Sequence, residues 1–148
     1  MFLSSSKVEA ALDTGFGTCW MRDDRIAELV ANALGHFDGD KYRLFAWCVI
    51  PNHVHAVIQP LEEYELSKIL HSWKSFTGNT GNKNLNRSGE FWHREYCDHL
   101  IRNEQDLICS MEYVIGNPYK AELQDWEWTG FGDGWLQYSQ SQAGTIRV

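Results

Sequence analysis

No run of about 18 apolar residues occurs anywhere in the 148-residue chain, which excludes a conventional membrane-spanning helix. The start of the chain also lacks the basic, apolar and small-residue succession of a secretory leader, so a soluble, cytoplasmic protein is expected. Paired cysteines are missing too. Cys19, Cys48, Cys97 and Cys109 are scattered with no Cys-x-x-Cys spacing, which argues against a zinc knuckle and against a disulfide framework. Reduced, mostly buried thiols are the expectation. Positive charge is in deficit, with 13 Lys and Arg against 20 Asp and Glu, a net charge of -7 and a pI near 5.3. Such a balance disfavours a protein that coats nucleic acid nonspecifically. Internal repeats and low-complexity segments are absent. What remains is a chain with 43% hydrophobic and 14% aromatic residues, suited to one globular domain with a sizeable core.

The first informative segment is Pro51-Asn52-His53-Val54-His55, set inside an apolar run from Leu44 to Ile58. Proline donates no ladder hydrogen bond and Asn tolerates turn conformations, so Pro51-Asn52 reads as a tight turn and His53 as the first residue of a strand. Alternation on that strand places His53, His55, Val57 and Gln59 on one face. Val54, Ala56 and Ile58 occupy the other and can pack under helices. Two imidazoles aimed the same way are half of a metal site, or simply hydrogen-bonded strand residues; spacing alone leaves both open.

Helical periodicity appears three times. Asp23 or Asp24 can cap a helix whose apolar positions are Ile26, Leu29, Val30, Ala33 and Leu34, ending at Gly35. A second helix is expected from about Ser67, a plausible cap, to Phe76, with Leu66, Ile69, Leu70, Trp73 and Phe76 as its stripe. The polar stretch Gly78 to Gly89 lacks periodicity and reads as a mobile loop able to meet phosphates. Phe91 to Ile101 reads as a strand with its approach. Between Lys68 and Arg102 there are six basic residues, Lys68, Lys74, Lys83, Arg87, Arg94 and Arg102, against Glu90, Glu95 and Asp98, so a local basic surface is expected on an acidic chain. These six are the candidate DNA contacts.

The third helix begins near Asn103, with Asp106 three residues on, and is expected to stop before Pro118, because the residue preceding a proline is pushed out of helical geometry. Leu107, Ile108, Met111, Val114 and Ile115 form its apolar stripe. Tyr113 and Asn117 are read as lying opposite that stripe, one above the other, so that a phenol and a carboxamide project together.

Together, Ile50-Pro51-Asn52-His53-Val54-His55, the helix Leu66 to Thr77, Phe91-Trp92-His93-Arg94-Glu95-Tyr96-Cys97-Asp98 and Tyr113-Val114-Ile115-Gly116-Asn117-Pro118-Tyr119-Lys120-Ala121 resemble the IS200-like single-tyrosine (Y1, HUH) transposases. The nearest branch is that of the REP-associated tyrosine transposases. The resemblance covers about residues 12–128 of a single domain, with 129–148 left as a C-terminal tail. It implies an α+β, ferredoxin-like sandwich, with an antiparallel sheet and helices on one or both faces. It further implies that His53, His55 and Asn117 are metal ligands and that Tyr113 is the nucleophile. The implied cofactor is a divalent cation, Mg or Mn. The implied chemistry is nicking and rejoining of single-stranded or hairpin DNA through a covalent 5′-phosphotyrosine.

In this family Trp126 and Trp128 match an aromatic pair that is expected to pack rather than to stack on bases. Tyr96 and Tyr119 are weaker rivals as nucleophile, and His71, His93 and His99 are expected to be ordinary surface or hydrogen-bonded histidines. One departure stands out. The family's first strand, aromatic-x-Thr-aromatic-Arg, is not found, and Phe2 and Leu3 could form only a stub. An incomplete sheet would favour the alternative of a catalytically inactive or domesticated hairpin-DNA-binding protein or repressor, or of a structural protein whose metal only holds the sheet. A monomer is favoured, with a homodimer as the other possibility.

Overall fold

Side-chain alternation organises the sheet and, with it, both cores. The computed structural model describes residues 6–15 and 18–146. Strand β3 (His53–Pro60) lies at the centre and pairs antiparallel with β1 (Lys7–Asp13) on one side and β2 (Tyr42–Ile50) on the other. Beyond β1 lies β4 (Tyr96–Ile101), and beyond β2 the short β5 (Thr129–Phe131), so the order is β4-β1-β3-β2-β5. Every pairing is antiparallel.

Helices cover both faces. Helix α1 (Asp24–His36) and helix α2 (Leu66–Asn84) pack on the face that carries Ala10, Leu12, Val54, Ala56 and Ile58. On the opposite face, helix α3 (Glu104–Lys120) and helix α4 (Asp133–Ile146) cover Phe45, Cys48, Ile50 and Val57. Each Leu, Met or Val side chain fully withdrawn into these cores contributes about 1.5–3 kcal/mol. Helix α1 follows the sequence closely, with the Asp23 carboxylate accepting from the Arg25 N–H as its cap.

Strand β1 corrects the expectation of a missing first strand. Lys-Val-Glu-Ala-Ala-Leu-Asp carries no aromatic and only one β-branched residue, so it does not announce a strand. Tertiary context makes it one: Val8, Ala10 and Leu12 enter the core beneath α1 and α2, while Lys7, Glu9, Ala11 and Asp13 turn to the α3 side. The family's pattern is lacking; the strand is not. The proposed stub at Phe2 and Leu3 lies outside the described residues.

Helix α2 is longer than its apolar periodicity. It continues into the stretch read as a loop and ends at Asn84, leaving residues 85–89 as loop, and its N-cap position is Glu65, without a side-chain cap, rather than Ser67. Gly78 and Gly81 belong to its packed face, where a β-carbon on Gly81 would stand 2.8 Å from the Phe91 ring. These glycines mark a close approach of the helix to Phe91 and Trp92. The Trp92 indole N–H donates to Thr77 Oγ1, whose hydroxyl donates to the Trp73 carbonyl, tying that segment to the helix.

Helix α3 likewise runs past Pro118 to Lys120. Proline forgoes one i→i−4 bond there. The bonds Ala121 N–H to Asn117 O and Leu123 N–H to Pro118 O carry the backbone through the last turn, and the Pro118 ring is buried. Asn103 caps the start, accepting from the Asp106 N–H. The segment expected as a tail is structured as β5 and α4. Trp135 and Tyr138 of α4 pack on the core beneath them, and Gly132 and Gly134 allow the backbone to pass against Leu44. The thiols also differ from expectation, since Cys48 alone is buried and Cys19, Cys97 and Cys109 are exposed.

Candidate active site

The register of β1 and β3 builds the floor of the site. Asp13 stands opposite His53 and Ala11 opposite His55, so the small Ala11 side chain leaves room beside the histidine pair. The two imidazole centroids are 4.7 Å apart and nearly perpendicular. Next to them, the side-chain oxygen of Asn52 lies 2.8 Å from His53 Nδ1. His55 is almost fully buried, and its Nδ1 has no hydrogen-bond partner; the nearest charged group is Glu9, with Oε2 at 3.8 Å.

Helix α3 supplies the other half. The Tyr113 ring meets His55 edge-on, with centroids 5.5 Å apart, and the Asn117 side chain approaches His53 closely enough to favour its protonated form. Both residues approach the pair, though not from a face opposite the core. The buried stripe of α3 is Leu107, Ser110, Met111, Val114, Asn117 and Pro118, and Ile108 and Ile115 are only partly covered. Asn117 is thus 8% exposed inside the site, while Tyr113, on the flank of the stripe, is 43% exposed. Reading only apolar residues as buried rotates the stripe, because Ser110 and Asn117 go uncounted.

Burial lowers the pKa of His53, opposed by Asp13 and by Asn117. It lowers His55 further, to about 4, with repulsion from His53 adding to burial. Both rings are therefore neutral near pH 7, the form that ligates metals. Among the described residues, no three His, Cys, Asp or Glu side chains converge as a metal cluster. A cation here would take the two imidazoles and the Asn117 carboxamide oxygen, three neutral donors with open positions left over. That set fits Mn and tolerates Mg, which prefers oxygen.

A cleft of about 500 Å³ opens in front of the pair, lined by Asp13, His53, His55, His93, Glu95 and Tyr96 among others. A second, of about 370 Å³, runs from the other side of His55 past Glu9, His99 and Tyr113. The candidate basic residues are only partly gathered there. Lys74 donates to the Arg94 carbonyl, and the adjacent His93 N–H bonds Asp13 O, placing Lys74 and Arg94 at the His53 end of the sheet. Arg87 lies over the Trp20 ring at 4.3 Å and bonds Asn82 and Glu90 O, just beyond the exposed Lys83. Lys68, in the first turn of α2, and Arg102, after the last residue of β4, belong to the opposite end.

Of the remaining histidines, His99 Nε2 lies 3.2 Å from both Asp106 carboxylate oxygens and His71 is an exposed residue of α2. Trp126 and Trp128 are structural. The Trp126 indole donates to Val49 O and the Trp128 carbonyl accepts from Val49 N–H. Tyr119 is 87% exposed, away from the pair. Three neighbours of the site escape sequence reading: Glu9, because β1 does not look like a strand; Asn52, read only as a turn residue; and Lys120, whose ammonium lies 4.8 Å from the Tyr113 ring centroid. The last sits seven residues after Tyr113, two helical turns along the same side, a spacing that sequence could have offered.

The structure is thus a sandwich with two histidines on its central strand, and a tyrosine and an asparagine brought over them by one helix. The model of the family described as "Transposase IS200 like" matches residues 21–117, well over half of the chain, and the protein belongs to this family. A REP-associated tyrosine transposase of Escherichia coli K12 is 27% identical over 96 residues, covering 61% of this chain and 54% of its own length. A Haemophilus influenzae protein given the same family name is 26% identical over 104 residues, covering 61% of this chain and 59% of its own. The chain thus spans little more than half the length of these curated relatives. A solved structure of a REP-associated tyrosine transposase bound to a REP hairpin superposes with a TM-score of 0.69 at 18% identity, covering 84% of this chain and 76% of that one. The α+β fold of this chain, with its five-stranded antiparallel sheet, is similar to that structure. Among the described residues, no helix is long and apolar enough to cross a membrane.

Proposed function

We propose that this protein nicks and rejoins single-stranded DNA at hairpins, with Tyr113 as nucleophile and His53, His55 and Asn117 as the seat of a Mg or Mn ion. The observation that carries the proposal is the contact of the Tyr113 ring with His55 at 5.5 Å, which sets a phenol beside paired neutral imidazoles at the mouth of a cleft. A bound divalent ion would supply Lewis-acid polarisation of the scissile phosphate. Tyr113 Oη would attack phosphorus, forming the P–O bond to tyrosine as the bond to the 3′-oxygen breaks. The phenol gives its proton to solvent water and the departing 3′-oxygen takes one from solvent, so the step is proton-neutral. The phosphodiester energy stays in the phosphotyrosine, so the strand can be rejoined without an external energy source. A phenol is a better leaving group than an alkoxide, so the step can reverse. Lys120, over the Tyr113 ring, adds positive charge where an anion develops.

Hairpin DNA is the proposed substrate, in keeping with the bound hairpin in the solved relative. Arg87 and Trp20, Lys74 and Arg94 offer it cations and an aromatic surface at the His53 end. The contact of Tyr113 with the His55 of its own chain supports a site completed within one subunit, and a monomer is the proposed assembly, with a homodimer as the other possibility. The binding-only alternative drew on an absent strand, and β1 removes that ground. The test is incubation with single-stranded hairpins and Mn, followed by denaturing electrophoresis. The wild type should give a denaturation-resistant protein–DNA adduct and Tyr113→Phe none. Retardation of the hairpin without adduct would favour binding alone.

A further inference from the structure

Among the groups bordering the site, Glu9 has no part in the proposal above. It stands on β1 two residues before Ala11, on the same face, and its carboxylate is mostly withdrawn from solvent. From α3, the buried Ser110 faces it and opposes the rise in its pKa that burial causes. From β3, the unpartnered Nδ1 of His55 points toward it at 3.8 Å, too far for a hydrogen bond and too close for a bridging water.

A buried imidazole nitrogen left unpaired is unfavourable, so the ring and the carboxylate gain by closing the 3.8 Å between them. His53 provides an internal parallel, because its Nδ1 already has an oxygen, that of Asn52, at 2.8 Å. With Nδ1 donating to Asn52, the lone pair of His53 resides on Nε2. The same tautomer at His55 requires an acceptor at Nδ1, and Glu9 is the only carboxylate recorded in ion-pair range of it among the described residues.

We infer that Glu9 is a positioning residue: its carboxylate accepts the Nδ1–H of His55 and so leaves the Nε2 lone pair free to face the cleft, matching the service Asn52 gives His53. The inference rests on the cation reading above only for what Nε2 then meets. Outer carboxylates that orient ligating histidines typically strengthen metal binding about 10–100-fold. Asn52 comes from the turn before β3 and Glu9 from the neighbouring strand β1, so the two rings have separate partners.

The test separates tautomer from metal. In metal-free, ¹⁵N-labelled protein, long-range ¹H–¹⁵N correlation reads which imidazole nitrogen carries the proton. His55 should be the Nδ1–H tautomer in the wild type and in Glu9→Gln, whose amide oxygen still accepts, and should shift toward Nε2–H in Glu9→Ala. Titration with Mn alone, followed by electron paramagnetic resonance, should show Glu9→Ala binding about 10–100-fold more weakly than wild type, with Glu9→Gln nearer to wild type. An Nε2–H tautomer of His55 in the wild type, or a tautomer that is the same in wild type and Glu9→Ala, would overturn the inference. Equal losses of Mn affinity in both variants with no tautomer change would also overturn it, making Glu9 a charge partner of the ion. A tautomer that follows Glu9 in a wild type that binds no Mn would support the positioning role while refuting the cation reading.

Discussion

Gly81→Ala tests whether the end of α2 is packed helix rather than loop. Two opposed terms decide its sign. In a helix interior, Ala is favoured over Gly by about 1 kcal/mol. Against this, the new methyl would sit 2.8 Å from Phe91 Cε2, 3.2 Å from Cζ and 3.4 Å from Cδ2. The ring cannot easily yield. Phe91 is 4% exposed, with Trp92 at 5.2 Å and Trp20 at 5.9 Å between centroids, and the Trp20 indole N–H holds the Phe91 carbonyl. Overpacking of this kind costs about 1–3 kcal/mol, so the net effect is a loss of about 0–2 kcal/mol. Phe91→Leu removes the ring edge, and in that background Gly81→Ala should stabilise by up to about 1 kcal/mol. The quantity to measure is the coupling in a double-mutant cycle from urea unfolding, expected at about 1–3 kcal/mol. A coupling below about 0.5 kcal/mol, or a Gly81→Ala that stabilises the wild-type protein, would refute the packed-helix account.

Two further predictions concern charge. Burial pushes the Tyr42 phenol up to about 12, with its hydroxyl donating to the Leu34 carbonyl. The native phenol stays protonated while the unfolded one ionises near 10, so its contribution is fully present below pH 10 and is lost as pH rises through 12. The stability advantage of wild type over Tyr42→Phe should therefore shrink by about 2 kcal/mol between pH 10 and 12 in denaturant titrations; a constant difference would contradict the burial argument. At the proposed DNA surface, Arg87→Ala should weaken hairpin binding and lower the slope of log affinity against log salt by about 0.7, the value for one phosphate contact on a single strand. An unchanged slope would place Arg87 with Trp20 as packing alone.

What the sequence made legible was governed by one face being apolar and the other chemical. The alternation of His53, His55 and Val57 against Val54, Ala56 and Ile58 puts the histidines on one face of the strand, and the structure makes that face the α3 side. Likewise, Asp23 and the spacing of Ile26, Val30 and Leu34 define α1. The misreadings share a cause, which is that tertiary packing overrode local preference. Helix-forming Lys7, Glu9, Ala10 and Ala11 became a central strand because small and apolar residues fit between β3 and β4. Gly78 and Gly81 read as breakers and instead permit close approach. Pro118 reads as a stop and is instead absorbed inside a helix held by its buried ring. At the site, the identities of His53, His55, Tyr113 and Asn117 were available from motif, but the flanking geometry of Tyr113 and the presence of Glu9 depended on β1 and on polar residues buried in α3.

The most direct test of the central claim is to locate the DNA on the protein. After incubation with a single-stranded hairpin and Mn, the adduct is digested with nuclease and protease and the modified peptide is sequenced by mass spectrometry. The account predicts a nucleotide 5′-phosphate on the Tyr113 side chain and on no other tyrosine. A phosphate on Tyr96 or Tyr119, or an adduct that persists in Tyr113→Phe, would contradict it.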